Sequence, residues 1–112
     1  MRLLFKIISR ADWQRLKDDG CFAGAAVDVR DGYIHLSAHN QVAGTLEKHF
    51  KGKEGLVLVG FDPDKLDSSK LKWEISRDNE KFPHYYANLP LGAVSQVHDL
   101  TLNENNTHII PL

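Results

Sequence analysis

The sequence predicts an α+β fold: a small split or twisted β-sheet with two helices in the N-terminal half. Three observations lead there. Apolar residues recur at helical spacing only before residue 51. Strand-like runs crowd the second half of the chain. The resulting order, strand–helix–strand–helix and then strands alone, lacks the steady alternation of a doubly wound parallel sheet.

Leu3 to Ile8 is a compact apolar run and reads as the first strand. Ser9 follows, with Asp12 three residues on. A serine there caps the first free N–H groups of a helix, and an acid in the first turn favours its positive end. The helix runs from about residue 10 to 19 and buries Trp13 and Leu16, with Gly20 as its left-handed stop. Residues 21–32 mix small and charged side chains without a period and read as a loop closed by an Asp31-Gly32 turn. Tyr33 to Ser37 then alternates: Ile34 and Leu36 face the core, His35 and Ser37 the opposite side.

The second helix covers residues 40–50, with Val42, Leu46 and Phe50 as its apolar stripe, Ala43 beside it, and Ser37 or Asn40 as its cap. Leu56 to Phe61 is continuously apolar, as in a strand buried on both faces. Leu71, Trp73 and Ile75 alternate with Lys72, Glu74 and Ser76, a half-buried strand whose Trp73 belongs in the core. Phe82, also read as core, opens an extended stretch to Ala87 between Pro83 and Pro90. Val94 to Leu102 is a strand, and His108 to Ile110 is a short terminal one.

At 112 residues and 42% hydrophobic, residues 1–112 form one domain with a core of its own. Lysine and arginine number 14 against 15 acids, so no basic excess exists to bind a phosphate backbone generally. The single cysteine, Cys21, has no intrachain partner, which fits a reducing compartment. No apolar stretch approaches a membrane span, and the N-terminal run, broken by Lys6, is not a signal peptide. The expectation is a cytoplasmic protein without membrane or general nucleic-acid partners.

Two constellations carry candidate chemistry. In Asp31-Gly32-Tyr33-Ile34-His35-Leu36-Ser37, a histidine and a hydroxyl share one strand face, a pair suited to phosphate or ribose oxygens or to proton transfer. The plainer alternative is a solvated sheet face. In Trp73-Glu74-Ile75-Ser76-Arg77 and Phe82-Pro83-His84-Tyr85-Tyr86, Glu74 and Ser76 share a face, as do His84 and Tyr86. Arg77 offers a planar fork for carboxylate or phosphate, and Pro83 stiffens the backbone before His84. The alternative here is a surface Glu74–Arg77 pair. His39 and His49 read as surface residues of the second helix and its approach, and His98 and His108 as structural. His35 and His39 straddle a strand–helix boundary, so helical zinc geometry fails, and no paired-cysteine or phosphate-loop motif is present. No metal is expected.

With these residues, the chain resembles the bacterial domain-of-unknown-function family numbered 952. Besides the two constellations, the matching features are Phe5-Lys6-Ile7, Trp13 with Gly20, Gln41, Thr45, His49-Phe50, Leu56 to Val59 and Leu89 to Val94, covering roughly residues 2–100. The resemblance implies an ADP-ribosyltransferase-like fold with a cleft for NAD or an ADP-ribose-like ligand, and a glycosyl-type transferase or hydrolase activity. By chain order it places Lys6 near the first site position, His35 or Ser37 near the second, and His84 or Tyr86 near the third. Residues and resemblance together give His35 and His84 as candidate catalytic residues, with Lys6, Ser37, Glu74, Arg77 and Tyr86 as candidate ligand-binding ones. One departure stands out: the third position holds His84 where such transferases carry glutamate, and Glu74 substitutes only if the fold brings it to the cleft. A second is Ala87, where a glycine is expected. A non-catalytic protein or peptide interaction module is the alternative function.

Overall fold

The structure, a computed structural model, describes residues 2–112. It is α+β, with antiparallel sheets. The chain runs through β1 (Leu4–Ser9), α1 (Arg10–Asp19), β2 (Cys21–Phe22), α2 (Ala26–Asp31) and β3 (Ile34–His35). A 3-10 turn at His39–Gln41 leads into α3 (Val42–His49), then β4 (Leu56–Phe61), β5 (Leu71–Ile75) and β6 (Lys81–Tyr85). The chain ends with β7 (Leu89–Pro90), β8 (Val94–Leu102) and β9 (His108–Ile109).

The strands form a four-stranded sheet in the order β1-β4-β8-β9, a three-stranded one ordered β3-β6-β5, and the pair β2-β7. Phe5 and Ser37 exchange two backbone hydrogen bonds of 2.8 Å, which tie β1 to the chain just beyond β3. The apolar run of β4 is buried along its whole length between β1 and β8. Alternation along β4 and β1 divides the core in two. Leu4, Ile8, Val57, Val59 and Phe61 pack with Leu16 of α1, whereas Phe5, Ile7, Leu56 and Leu58 pack with Val42 and Leu46 of α3. No helix of the described residues is long and apolar enough to cross a membrane.

Helix α1 follows its local signals. Ser9 Oγ accepts the Asp12 N–H at 3.1 Å, and Gly20, at φ 76°, takes the left-handed stop that a side chain disfavours. Three expectations need correction. Residues 21–32 are not a plain loop: they hold β2 and α2, so the described residues form three α-helices and not two. The periodicity of α2 was invisible because its inward residue is charged: Asp28 is buried while Val27 and Val29 face outward. Neither Ser37 nor Asn40 caps α3; Gln41 Oε1 instead accepts the Ala38 N–H at 2.9 Å. Trp73 is not core. It is 47% exposed and Ile75 61%, because β5 is an edge strand that half-buries only Leu71 and Glu74. Phe82 is buried as expected, and Ala87 has no positive φ.

These burials set an expectation for stability. Leu58, fully buried in the central strand, should cost about 2–5 kcal/mol on truncation to alanine. Trp73→Ala, at an open edge, should cost no more than about 1 kcal/mol. Urea-unfolding midpoints at constant slope would check both.

Candidate functional site

The pairing of β3 with β6 sets His35 directly opposite His84. Their ring centroids lie 5.6 Å apart with the planes at 67°. The Tyr33 ring stacks on His84 at 4.1 Å and leans against His35 at 4.6 Å. The two histidines singled out from sequence are thus cross-strand neighbours under one aromatic cover.

Their hydrogen bonding differs. His84 is 2% exposed, and its Nδ1 lies 3.0 Å from Glu74 Oε1. An ionised carboxylate only accepts, so Nδ1 carries the proton and donates. In a neutral ring that leaves the lone pair on Nε2. Nε2 is buried and has no hydrogen-bond partner among the described residues. Such an orphan costs about 1–3 kcal/mol. Tyr86 donates its hydroxyl to the same Glu74 oxygen at 2.6 Å. Bonds from Tyr86 and then His84 hold Glu74 below the usual carboxylate range, and in return Glu74 pushes the Tyr86 phenol up to about 12.

In His35 both ring nitrogens face acids: Nδ1 is 2.6 Å from Asp28 Oδ1, and Nε2 is 3.0 Å from Asp31 Oδ2. Both can donate only when the ring carries both protons. Asp28 itself is buried and takes four donors. Lys6 Nζ and the His35 N–H each donate to Oδ1 at 3.0 Å, the His35 ring donates at 2.6 Å, and the Ala25 N–H donates to Oδ2 at 2.8 Å. Burial alone would raise this carboxyl. The His35 ring, the Lys6 charge and the two backbone N–H groups outweigh it and hold the group at about 2. Burial pushes Lys6 down, with Asp28 opposing; Lys6 also donates to the His35 carbonyl at 2.9 Å. Gly24 makes the close approach possible: at φ +113°, a Cβ there would lie 2.7 Å from Asp28 Cβ.

His84, His35 and Ser37 open onto a cavity of about 470 Å³, whose wall also includes Arg77, Thr45 and His49. Phe5, Leu36 and Phe82 supply its apolar surface. This volume lies in the range of small-molecule sites. Arg77 reaches the cavity from the loop between β5 and β6, where Asp78 and Asn79 both take left-handed φ near 57° and 59°. Its guanidinium sits 4.7 Å above the Phe82 ring, and Nη1 donates to Thr45 Oγ1 at 3.4 Å. The Thr45 hydroxyl donates to the Gln41 carbonyl at 3.1 Å and lies 3.0 Å from Ser37 Oγ. Partial burial, then the Arg77 and His35 charges, hold His49 below its ordinary value.

Of the residues expected from sequence, His35, His84, Lys6, Ser37 and Arg77 line this one cavity. Lys6 is committed to Asp28. Glu74 and Tyr86 are not in the cavity wall; they stand behind His84 and touch the cavity only through its ring. The surface Glu74–Arg77 pair does not form, since Arg77 faces Asp78 at 3.7 Å. Sequence reasoning missed Asp28, Thr45 and His49. Thr45 and His49, four apart on one helical face, carried a readable signal; Asp28 carried almost none. Cys21 does not line the cavity, and His108 is buried on the Lys53 carbonyl at 2.7 Å. Among the described residues, no three His, Cys, Asp or Glu side chains converge on a metal-ion position.

The Asp28 network makes two testable statements. Replacing Asp28 by alanine leaves Lys6 buried without its partner and should cost about 3–5 kcal/mol by denaturant unfolding. Because the Asp28 carboxyl is depressed to about 2 in the fold, its stabilisation is complete above the unfolded value of about 4. It is lost as pH falls from there through about 2. Melting temperatures between those limits should therefore fall more steeply in the parent protein than in Asp28→Asn.

A family model described as "Protein of unknown function (DUF952)" matches residues 7–97. The chain is similar to the crystal structure of protein CC0527 from Caulobacter crescentus, with 42% identity and a TM-score of 0.89 over 96% of this chain and 93% of that one. The solution NMR structure of CC0527 matches with 43% identity and a TM-score of 0.83, over 94% of this chain and 90% of that one. No curated protein matches. With a family model spanning most of its length and a relative sharing both sequence and fold, the chain belongs to the DUF952 family.

Proposed function

We propose that the cavity binds a nucleotide-like or phosphorylated small molecule, of the NAD or ADP-ribose kind, and that His84 exchanges a proton with it. The observation that carries this reading is His84 Nε2. A buried imidazole nitrogen kept for structure alone is ordinarily hydrogen-bonded, as His108 Nε2 is to the Lys53 carbonyl at 2.7 Å. Here one nitrogen is aimed by Glu74 and the other is left bare in a buried wall. That is the arrangement of a general base oriented by a carboxylate, with its second nitrogen still unpaired.

The other residues fit around it. Arg77 supplies positive charge, Ser37 a hydroxyl, and the Phe5 and Phe82 rings an apolar surface for a flat body. His35, clamped between Asp28 and Asp31, orders the wall beside His84. In this reading Glu74 does not replace the missing transferase glutamate at the ligand; it acts on His84, which activates a hydroxyl or water for transfer or hydrolysis at a glycosidic carbon. The likeness to ADP-ribosyltransferase-like folds belongs to the same proposal, supported by a divided antiparallel sheet with a cavity lined from both parts.

Thermal melting tests the reading. NAD or ADP-ribose at saturating concentration should raise the melting temperature by several degrees, since a hundredfold excess over Kd adds about 2.7 kcal/mol. His84→Ala should abolish the shift, and Glu74→Gln should reduce it. If neither compound shifts the parent protein at millimolar concentration, the nucleotide reading fails. The non-catalytic interaction module then takes its place, with exposed Trp73 and Ile75 on edge strand β5 as its surface.

A further inference from the structure

We infer that Arg77 and Gly44 together make an oxyanion subsite in the cavity, with Gly44 as the positioning residue whose missing side chain gives the guanidinium its place. The inference rests on the ligand-binding reading above and names the group the ligand presents there: a phosphoryl or similar oxyanion.

Gly44 sits inside α3 on its exposed side. Glycine is among the poorest residues for a helix interior. Its backbone is not in the positive-φ region, so no turn demands it. The space above it supplies the reason. A Cβ at Gly44 would lie 3.0 Å from Arg77 Nη2 and 3.7 Å from Arg77 Cζ, and no other group comes within 4 Å. The only thing the absent methyl accommodates is this guanidinium, brought from a loop of the opposite ladder.

Arg77 is also the cavity cation whose charge is least answered. Lys6 is held by buried Asp28 at 3.0 Å, and Arg30 by Asp31 at 2.9 Å. Arg77 has only the exposed Asp78 carboxylate, 3.7 Å from Nε, and a 3.4 Å bond to Thr45. Its Nη2 has no acceptor among the described residues. Phe82 below and Gly44 beside it set the plane of the fork. A fork so held, with a free edge over a cavity, suits the paired oxygens of a phosphoryl group. Because the crowding atom is the end of a flexible side chain, a larger residue at position 44 displaces Arg77 and not the fold.

The test is a graded series, Gly44→Ala and Gly44→Leu, with Arg77→Lys alongside, read by calorimetric titration with ADP-ribose and by thermal melting. The inference expects affinity to fall stepwise with side-chain size, reaching roughly tenfold for Gly44→Leu and Arg77→Lys, the worth of about one charged hydrogen bond. The melting temperature of Gly44→Ala should rise, because alanine favours the helix. A merely structural glycine would not lower affinity while raising stability. Adenosine, which lacks the oxyanion, should bind all four proteins alike. If ADP-ribose binds the parent and the Gly44 variants within twofold, the subsite is wrong although the cavity reading stands. If ADP-ribose does not bind the parent at all, the nucleotide reading fails, and inorganic pyrophosphate then decides the subsite by itself. Binding lost in Gly44→Leu and Arg77→Lys supports it, and no binding at millimolar concentration overturns it.

Discussion

One buried carboxylate, Asp28, holds the site end of the molecule together. It accepts from Lys6 on β1, from the backbone and ring of His35 on β3, and from the Ala25 N–H at the start of α2. The last two, β3 and α2, have little stability of their own. A six-residue helix and a two-residue strand do not persist alone in water. Burying a carboxylate and an ammonium is costly, and only a full set of donors offsets it. Asp28 has that set, so its charge becomes the fixed point on which α2 and β3 settle against β1.

The two histidines beside this point show how environment divides one residue type into two roles. His35 has acids at both nitrogens and nothing left to offer. His84, opposite it in the ladder, has one acid and one bare nitrogen. The difference follows from which strand each faces. The β3 side lies against the Asp28–Asp31 helix, whereas β6 lies between β3 and the edge strand β5, which contributes only Glu74. The shared Tyr33 ring closes over both and keeps solvent from His84. Exposure of Trp73 and Ile75 belongs to the same geometry: β5 turns Glu74 toward His84 and these two side chains outward.

Much of this was legible before any coordinates. The cap and stop of α1, the doubly buried β4, the alternation that puts Ile34 and Leu36 inward, and the burial of Phe82 all follow from spacing within a few residues. The same spacings single out His35, His84, Ser37 and Arg77 as candidates, each with a plainer structural reading beside it. The missing parts have physical reasons. Helix α2 escaped because periodicity detects apolar inward faces, and its inward residue is charged. Trp73 was misplaced because alternation gives the two faces of a strand but not which face is covered. Glu74 was named, but its work on His84 was not, since a diagonal contact between β5 and β6 depends on register.

The sequence by itself determined the class of fold, the caps and strands that local chemistry dictates, and the short roster of polar residues worth watching. Only the tertiary structure decided that His35 and His84 are neighbours, that Lys6 is spent on Asp28, and that Glu74 orients His84 from behind the cavity. It alone brought Arg77 to rest against Gly44. The reason is range. Caps and periodicity act over three or four residues and are written in order along the chain. The site depends on contacts between residues far apart in the chain, such as Lys6–Asp28 at 22 positions and His35–His84 at 49, and these depend on strand register and on burial of charge, which no single segment contains.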